Sequence, residues 1–237
     1  MAMENINKLP DNQAYKLLDK YHIPAAKHVF IKYSKNFAKD IENSINKNNI
    51  TESSKDSAII NITDLRSKSA IKDFPIVLKI DGEIVHKKQA GCVEIVYKKQ
   101  ELKQKINSIL KNSKKFKVHG MIIQEFVQGK EVMIGAKRDS QFGTIIMFGA
   151  GGVLANILKD VSFRVLPAEY QELEIMVKET KAYQVFVEHD EKMLDEIIAI
   201  LQKLAKLLEA NPKIKELDIN PLFLADKPVA GDVRIIY

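Results

Sequence analysis

An α+β fold in two lobes is predicted from three observations. Apolar runs of strand character recur along the chain, as in Pro75–Ile80 and Met121–Val127. Asp190 to Ala210 instead carries one apolar stripe at helical spacing, formed by Leu194, Ile197, Ile198, Leu201, Leu204, Ala205 and Leu208. Seven of the ten glycines lie between Gly120 and Gly152, where three short apolar runs alternate with Gly-containing turns, the pattern of an antiparallel sheet. The change of texture sets a boundary near 112–119, giving lobes of residues 1–118 and 119–237.

Taken in order, residues 11–21 begin with Asp11 and Asn12 as cap candidates and predict a helix. Val29–Tyr33 reads as a strand and Asn36–Asn46 as a second helix. Residues 46–58 are rich in Asn, Ser, Thr and Lys without periodicity and read as a mobile surface loop. The buried-strand run at Pro75–Ile80 precedes a loop from Gly82 to Gly91, a strand at Val93–Tyr97 and a helix at Gln100–Lys111. Met121–Val127, Glu131–Ala136 and Thr144–Phe148 supply the Gly-punctuated strands. Helices are expected at 168–181 and 190–210, the latter opened by acids and closed by Asn211-Pro212, as dipole and proline geometry favour. Two further strands close the chain.

Composition narrows the function classes. A single cysteine, Cys92, rules out an internal disulfide framework and any multi-Cys metal site. No N-terminal apolar stretch resembles a signal peptide, and Gly143–Leu158, within the longest charge-free stretch, is too short and too Gly-rich for a membrane span; a cytoplasmic protein without membrane partners is expected. Net charge is +6, yet it is almost all lysine spread along the chain, so nucleic acid is not the expected partner. There are four arginines: Arg66, Arg138, Arg164 and Arg234. Sparing use suggests positions where a planar, bidentate fork matters.

The C-terminal strands carry the most informative polar pattern. Period-two spacing puts Asp218 and Asn220 on one face, and Asp232 and Arg234 on one face of the next strand. Oxygen ligands without His or thiolate suit Mg²⁺, and an adjacent arginine suits phosphate. Asn220-Pro221 also reads as an ordinary hairpin turn. Lys79, ending an apolar strand, is either an edge gatekeeper or a phosphate ligand. The loop with His86, Lys87 and Lys88 can fold over phosphates, and an imidazole can carry a phosphoryl group. Gln124-Glu125-Phe126-Val127 ends a strand where backbone groups can read a base edge; Glu125 or Glu131 is a ribose ligand or an exposed carboxylate. Gly151-Gly152 is a turn or a close approach to phosphate. Arg164 faces a phosphate or pairs with Asp160.

Together, in this order, Pro75-Ile76-Val77-Leu78-Lys79-Ile80, His86-Lys87, Gln124-Glu125-Phe126-Val127, Gly129-Lys130-Glu131-Val132, Met147-Phe148-Gly149-Ala150-Gly151-Gly152, Asp160-Val161-Ser162-Phe163-Arg164 and Glu216-Leu217-Asp218-Ile219-Asn220-Pro221 resemble the ATP-grasp β subunit of ADP-forming acetyl-CoA synthetases, the NDP-forming acyl-CoA synthetase family. The resemblance covers most of residues 10–237. It implies an ATP-grasp fold with the nucleotide held between two lobes. It implies conversion of acyl-CoA, ADP and phosphate to acid, CoA and ATP through phosphohistidine, with a CoA-binding α subunit in an α2β2 assembly.

By that resemblance His86 is the phosphohistidine, and Arg164 faces the transferred phosphate. Lys79, Lys87, Glu125, Phe126, Val127, Glu131, Gly151 and Gly152 bind ATP or ADP, and Asn220 and Asp232 hold Mg²⁺. The sequence departs from the family at His86-Lys87-Lys88-Gln89, where relatives have His-Lys-Ser-Asp. It departs again at Cys92, in place of glycine, at Asn156, in place of glutamate, and in an insertion at about 46–72. A nucleotide-binding or regulatory subunit with impaired catalysis is therefore the alternative, ahead of a stand-alone ATP-grasp ligase.

Overall fold

The computed structural model describes residues 7–47, 74–84, 86–152, 159–188 and 190–237. The expected insertion at 46–72 lies outside the described residues, apart from the end of a helix, and so does Asn156. Two compact units divide the chain otherwise than at 118/119: Ala26–Phe126 forms one, while Met1–Ala25 and Val127–Tyr237 form the other.

The unit Ala26–Phe126 contains β1 (His28–Lys32), α1 (Phe37–Lys47), β2 (Ile76–Gly82), β3 (Val93–Val96), α2 (Leu102–Ser113, entered by a 3-10 turn) and β4 (Val118–Glu125). All pairings are antiparallel, in the order β1-β4-β2-β3. Alternation along β2 sends Ile76, Leu78 and Ile80 into a core with Phe37, Ile41, Ile106, Ile109, Met121 and Ile123. Each such side chain contributes about 1.5–3 kcal/mol when fully buried. Val77, Lys79 and Asp81 occupy the opposite face by the same alternation. The expected boundary at 118/119 falls inside β4, because that strand completes this sheet by pairing with β1 and β2.

In the other unit, β5 (Lys130–Asp139), β6 (Gly143–Ala150), β7 (Val161–Val165), β8 (Glu216–Leu224), β9 (Pro228–Ala230) and β10 (Val233–Ile236) form a six-stranded sheet. Its order is β10-β8-β5-β6-β7, with β9 also on β8. An N-terminal helix, here αN (Asp11–Lys20), packs on β10. Leu9 N–H donates to the Ile235 carbonyl at 2.9 Å and Tyr15 Oη to the Gly231 carbonyl at 2.8 Å, which ties the first residues to the last strand.

Among the described residues, three further helices belong to this unit: α3 (Tyr170–Lys178), α4 (Lys181–Phe186) and α5 (Glu191–Ala210). The helix expected over 168–181 is α3, ending short of Thr180, which caps α4 by accepting from Tyr183 N–H at 3.1 Å; α4 was not among the expected elements. The predicted stripe on α5 is buried, from Leu194 through Ile197, Ile198, Leu201 and Leu204 to Leu208. Asp190 caps its start, accepting from Met193 N–H at 2.9 Å. Among the described residues no helix is long and apolar enough to cross a membrane.

Candidate functional site

Strand β8 does not turn at Asn220-Pro221; it runs through them to Leu224. The hairpin reading is therefore replaced by a bulge. Val132 pairs Leu222 and Ile134 pairs Ile219, so Asn220 and Pro221 together oppose Met133. Such a bulge re-aims a side chain without breaking the sheet. On the other side of β8 the partner changes here from β10 to β9: Asn220 N–H donates to the Asp232 carbonyl at 3.2 Å, and Gly231 N–H to the Pro221 carbonyl at 2.8 Å.

The bulge gathers several predicted residues. Asn220 Oδ1 lies 3.5 Å from Gly152 N. Gly152 has φ +58, and a Cβ there would overlap the Glu131 carboxylate. Gly151 N–H donates to the Glu131 carbonyl at 3.0 Å. A carboxylate against the Gly151-Gly152 turn suits a cation or a hydroxyl better than a bare phosphate. Asp218 stands one step along the same face, directly opposite Arg234 across the ladder, with 4.0 Å between Oδ2 and Nη2. Burial pushes the Asp218 carboxyl above its ordinary value; Arg234 pulls it back, while Asp232 and Glu216 push it further up.

Among the described residues no group of three or more His, Cys, Asp or Glu side chains is placed to hold a metal. Asn220 and Asp232 nevertheless fit Mg²⁺, an ion commonly held by one or two protein oxygens with water and phosphate completing the shell.

Asp218, Asn220, Arg234 and Arg164 line one concavity of about 770 Å³, together with apolar side chains that include Phe142 and Phe163. Arg164 does not pair with Asp160. It forms a two-pronged ion pair with Glu179 instead. Asp160 accepts from Lys181 and Ala182 N–H at 2.9 and 2.8 Å, fixing the start of α4. Arg138, expected to serve a functional fork, is a clasp. It donates to the carbonyls of Leu208 (2.6 Å) and Ile214 (2.9 Å) and to Thr144 Oγ1 (2.8 Å), satisfying the end of α5.

The remaining candidates belong to the other unit, apart from Val127, which begins this one. Lys79 lies in the middle of β2, between β3 and β4, and is 7% exposed. An interior strand needs no edge gatekeeper, so that reading falls. His86 is exposed and Lys87 buried, on a loop closed by Ala90 N–H to the His86 carbonyl (3.0 Å) and Cys92 N–H to the Lys87 carbonyl (2.8 Å). Gly91, at φ +65, lies where a Cβ would meet the Asn112 amide. Glu125 accepts from Lys27 N–H at 2.8 Å, which orders the end of β4, and Phe126 packs near Tyr97 with ring centroids 6.4 Å apart. Glu179 was not legible as a site residue, since nothing in its spacing points to Arg164; Ser162, two residues before Arg164, stands in the motif, but its link to Glu179 was not legible.

Comparison with known proteins fits this arrangement. The sequence pattern of the ATP-grasp domain matches residues 62–236. The β subunit of ADP-forming acetate–CoA ligase I from Pyrococcus furiosus is 38% identical over 174 residues, covering 69% of this chain and 75% of that one. ADP-forming acetate–CoA ligase I from Archaeoglobus fulgidus is 37% identical over 171 residues, 68% of this chain but 25% of that longer protein. Acetyl-coenzyme A synthetase 1 from Ca. Korarchaeum cryptofilum, solved with coenzyme A and Ca-AMPCP, superposes with a TM-score of 0.77 at 29% identity, covering 97% of this chain and 93% of that one. The fold is that of an ATP-grasp protein. Within that class the chain belongs to the family of ADP-forming acetate–CoA ligase β subunits.

Proposed function

We propose that this chain is the nucleotide-binding subunit of an ADP-forming acid–CoA ligase, working with a CoA-binding α subunit in an α2β2 assembly. The overall reaction is acyl-CoA + ADP + phosphate ⇌ acid + CoA + ATP. The observation that carries the proposal is the convergence of Asn220, Gly152 and Glu131 at the β8 bulge, beside Asp218 and Arg234. It occurs in a chain 38% identical to a ligase β subunit.

Asn220 and Asp232 would hold Mg²⁺, which when bound supplies positive charge to phosphate oxygens. Lys79 and Lys87 neutralise the phosphates, Gly151 and Gly152 allow close backbone approach, and Glu131 binds a hydroxyl or supports the cation. Glu125, Phe126 and Val127 frame the base. An imidazole nitrogen of His86 attacks the phosphoryl group on the partner's histidine; the N–P bond there breaks as a new one forms. A β-phosphate oxygen of ADP then attacks the same phosphorus, the His86 N–P bond breaks, and ATP results. Arg164 faces the phosphoryl group in flight, where charge stabilisation dominates catalysis.

The test is to copurify the chain with its α subunit and incubate the complex with labelled Mg-ATP. An acid-labile phosphate on His86 is expected. Wild-type labelling and turnover in His86→Ala would reject the shuttle. A second reading, a nucleotide-binding subunit without catalysis, is favoured by His86 itself: among the described residues no carboxylate hydrogen-bonds its imidazole. That protein would bind Mg-ADP yet give no nucleotide-dependent CoA ligation in the complex.

A further inference from the structure

Glu179 meets Arg164 end-on. Arg164 Nη2 donates to Glu179 Oε1 at 2.8 Å and Nη1 to Oε2 at 3.0 Å. Nη1 also donates to the Phe163 carbonyl at 2.7 Å and lies 3.3 Å from Ser162 Oγ, whose hydroxyl in turn donates to Glu179 Oε2. A guanidinium carries five N–H donors in a rigid plane. This pattern occupies the end formed by Nη1 and Nη2. The side edge, Nε–H with the second Nη2–H, has no partner among the described residues. That edge is itself a two-donor fork of the kind that grips phosphate oxygens. Arg164 also lines the concavity that holds Asp218 and Asn220.

The corner carrying Glu179 is fixed by its own hydrogen bonds. Glu179 N–H donates to the Ile175 carbonyl at 2.9 Å, ending α3. Thr180, 1% exposed, donates to the Val177 carbonyl at 2.8 Å while capping α4. Asp160, just before β7, holds the first amides of α4. Strand and corner are therefore tied twice, once through Asp160 and once through the Arg164 clasp. Hydrogen bonds from Arg164 and Ser162 hold the Glu179 carboxyl below its ordinary value, so the clasp is ionic at neutral pH.

We propose that Glu179 is a positioning residue for phosphoryl transfer: it clasps the end of Arg164 and fixes the guanidinium so that its side edge meets the transferred phosphoryl group. The inference rests on the reading of Arg164 as the phosphate-facing arginine. A flexible arginine must be ordered anew in each transition state, whereas a clasped one is already in place.

The experiment measures steady-state ATP formation by the complex with its α subunit. Glu179→Ala should lower kcat about 10- to 100-fold with little change in the KM for ADP, the scale expected for a misplaced catalytic group. Glu179→Gln, which keeps one acceptor for Nη, should fall between it and wild type. Arg164→Ala should be at least as slow as Glu179→Ala, and adding Glu179→Ala to it should cost nothing more, because both changes act through one guanidinium. A merely structural glutamate would slow the Arg164→Ala background further, which would overturn the proposal. Wild-type kcat in Glu179→Ala beside an impaired Arg164→Ala would also overturn it, leaving the reading of Arg164 intact. Wild-type kcat in Arg164→Ala would reject that reading and the proposal together. Should Glu179→Ala fail to fold, the same cycle is run with Glu179→Gln.

Discussion

Asn220 and His86 are held in opposite ways. Asn220 lies in a bulge of an interior strand, with laddered partners on both sides and Gly152 and Met133 against its amide. His86 lies exposed on a loop whose closing bonds are main-chain ones. The difference suits the roles proposed for the two residues. A metal ligand works by staying put, and a sheet bulge fixes it before any ligand arrives. A phosphoryl carrier must meet two partners in turn, so a firm loop backbone with an unrestrained ring suits it.

The largest effect expected from this contrast is kinetic. His86→Ala should reduce phosphoryl transfer by about 10³-fold or more, as removal of a nucleophile does, while the melting temperature and Mg-ADP affinity stay at wild-type values. A drop in thermal stability would mean that the ring is part of the scaffold, and the contrast would break.

At the bulge the coupling runs the other way. Gly152→Ala adds a Cβ at φ +58 into the Glu131 carboxylate. Backbone strain of about 1–3 kcal/mol should lower stability and weaken Mg-ADP binding together. Calorimetric unfolding and a nucleotide titration on one preparation check this; unaltered affinity with lowered stability would separate the turn from the site.

A smaller, purely structural effect is expected at Arg138→Met. The substitution removes three hydrogen bonds, two of them to carbonyls at and beyond the end of α5. A loss of about 1–3 kcal/mol in denaturant unfolding, with kcat unchanged, is the expected outcome. A fall in kcat would restore Arg138 to the functional arginines.

Arg138 also shows where a sequence stops being legible. The helix stripe and the strand alternation are local periodicities, and α5 and β2 follow them closely. Arg138 contacts residues 70 and 76 positions away, so nothing near it in sequence announces a helix clasp. The same holds for Asn220: its identity was readable, but the bulge depends on Met133 in another strand. Strand β7 was not predicted although Val161–Val165 alternates apolar and polar residues; the run is short, and at the sheet edge Phe163 and Val165 are left exposed. The N-terminal residues join the unit of β10 through long-range pairing that composition does not reveal. The candidate residues could thus be named from motifs. Which of them meet is set by register.

The smallest effect concerns the Arg164 clasp as a stabilising pair. Glu179 has a folded-state pKa below the ordinary carboxylate value of 4.5, because Arg164 and then Ser162 hydrogen-bond its charged form. A depressed carboxylate pKa adds stability that is fully present above the unfolded value and is lost as pH falls through the folded one. The pair is largely solvent-exposed on the Glu179 side, at 47%, so the gain is screened. Wild type should therefore melt above Glu179→Gln by less than about 2 °C at pH 6–8, and the gap should close below the folded-state pKa. Thermal melts of both proteins across pH 3–8 test the sign. A gap that widens on acidification would mean that Glu179 is protonated in the folded protein, and an uncharged partner could not hold Arg164 as the clasp requires.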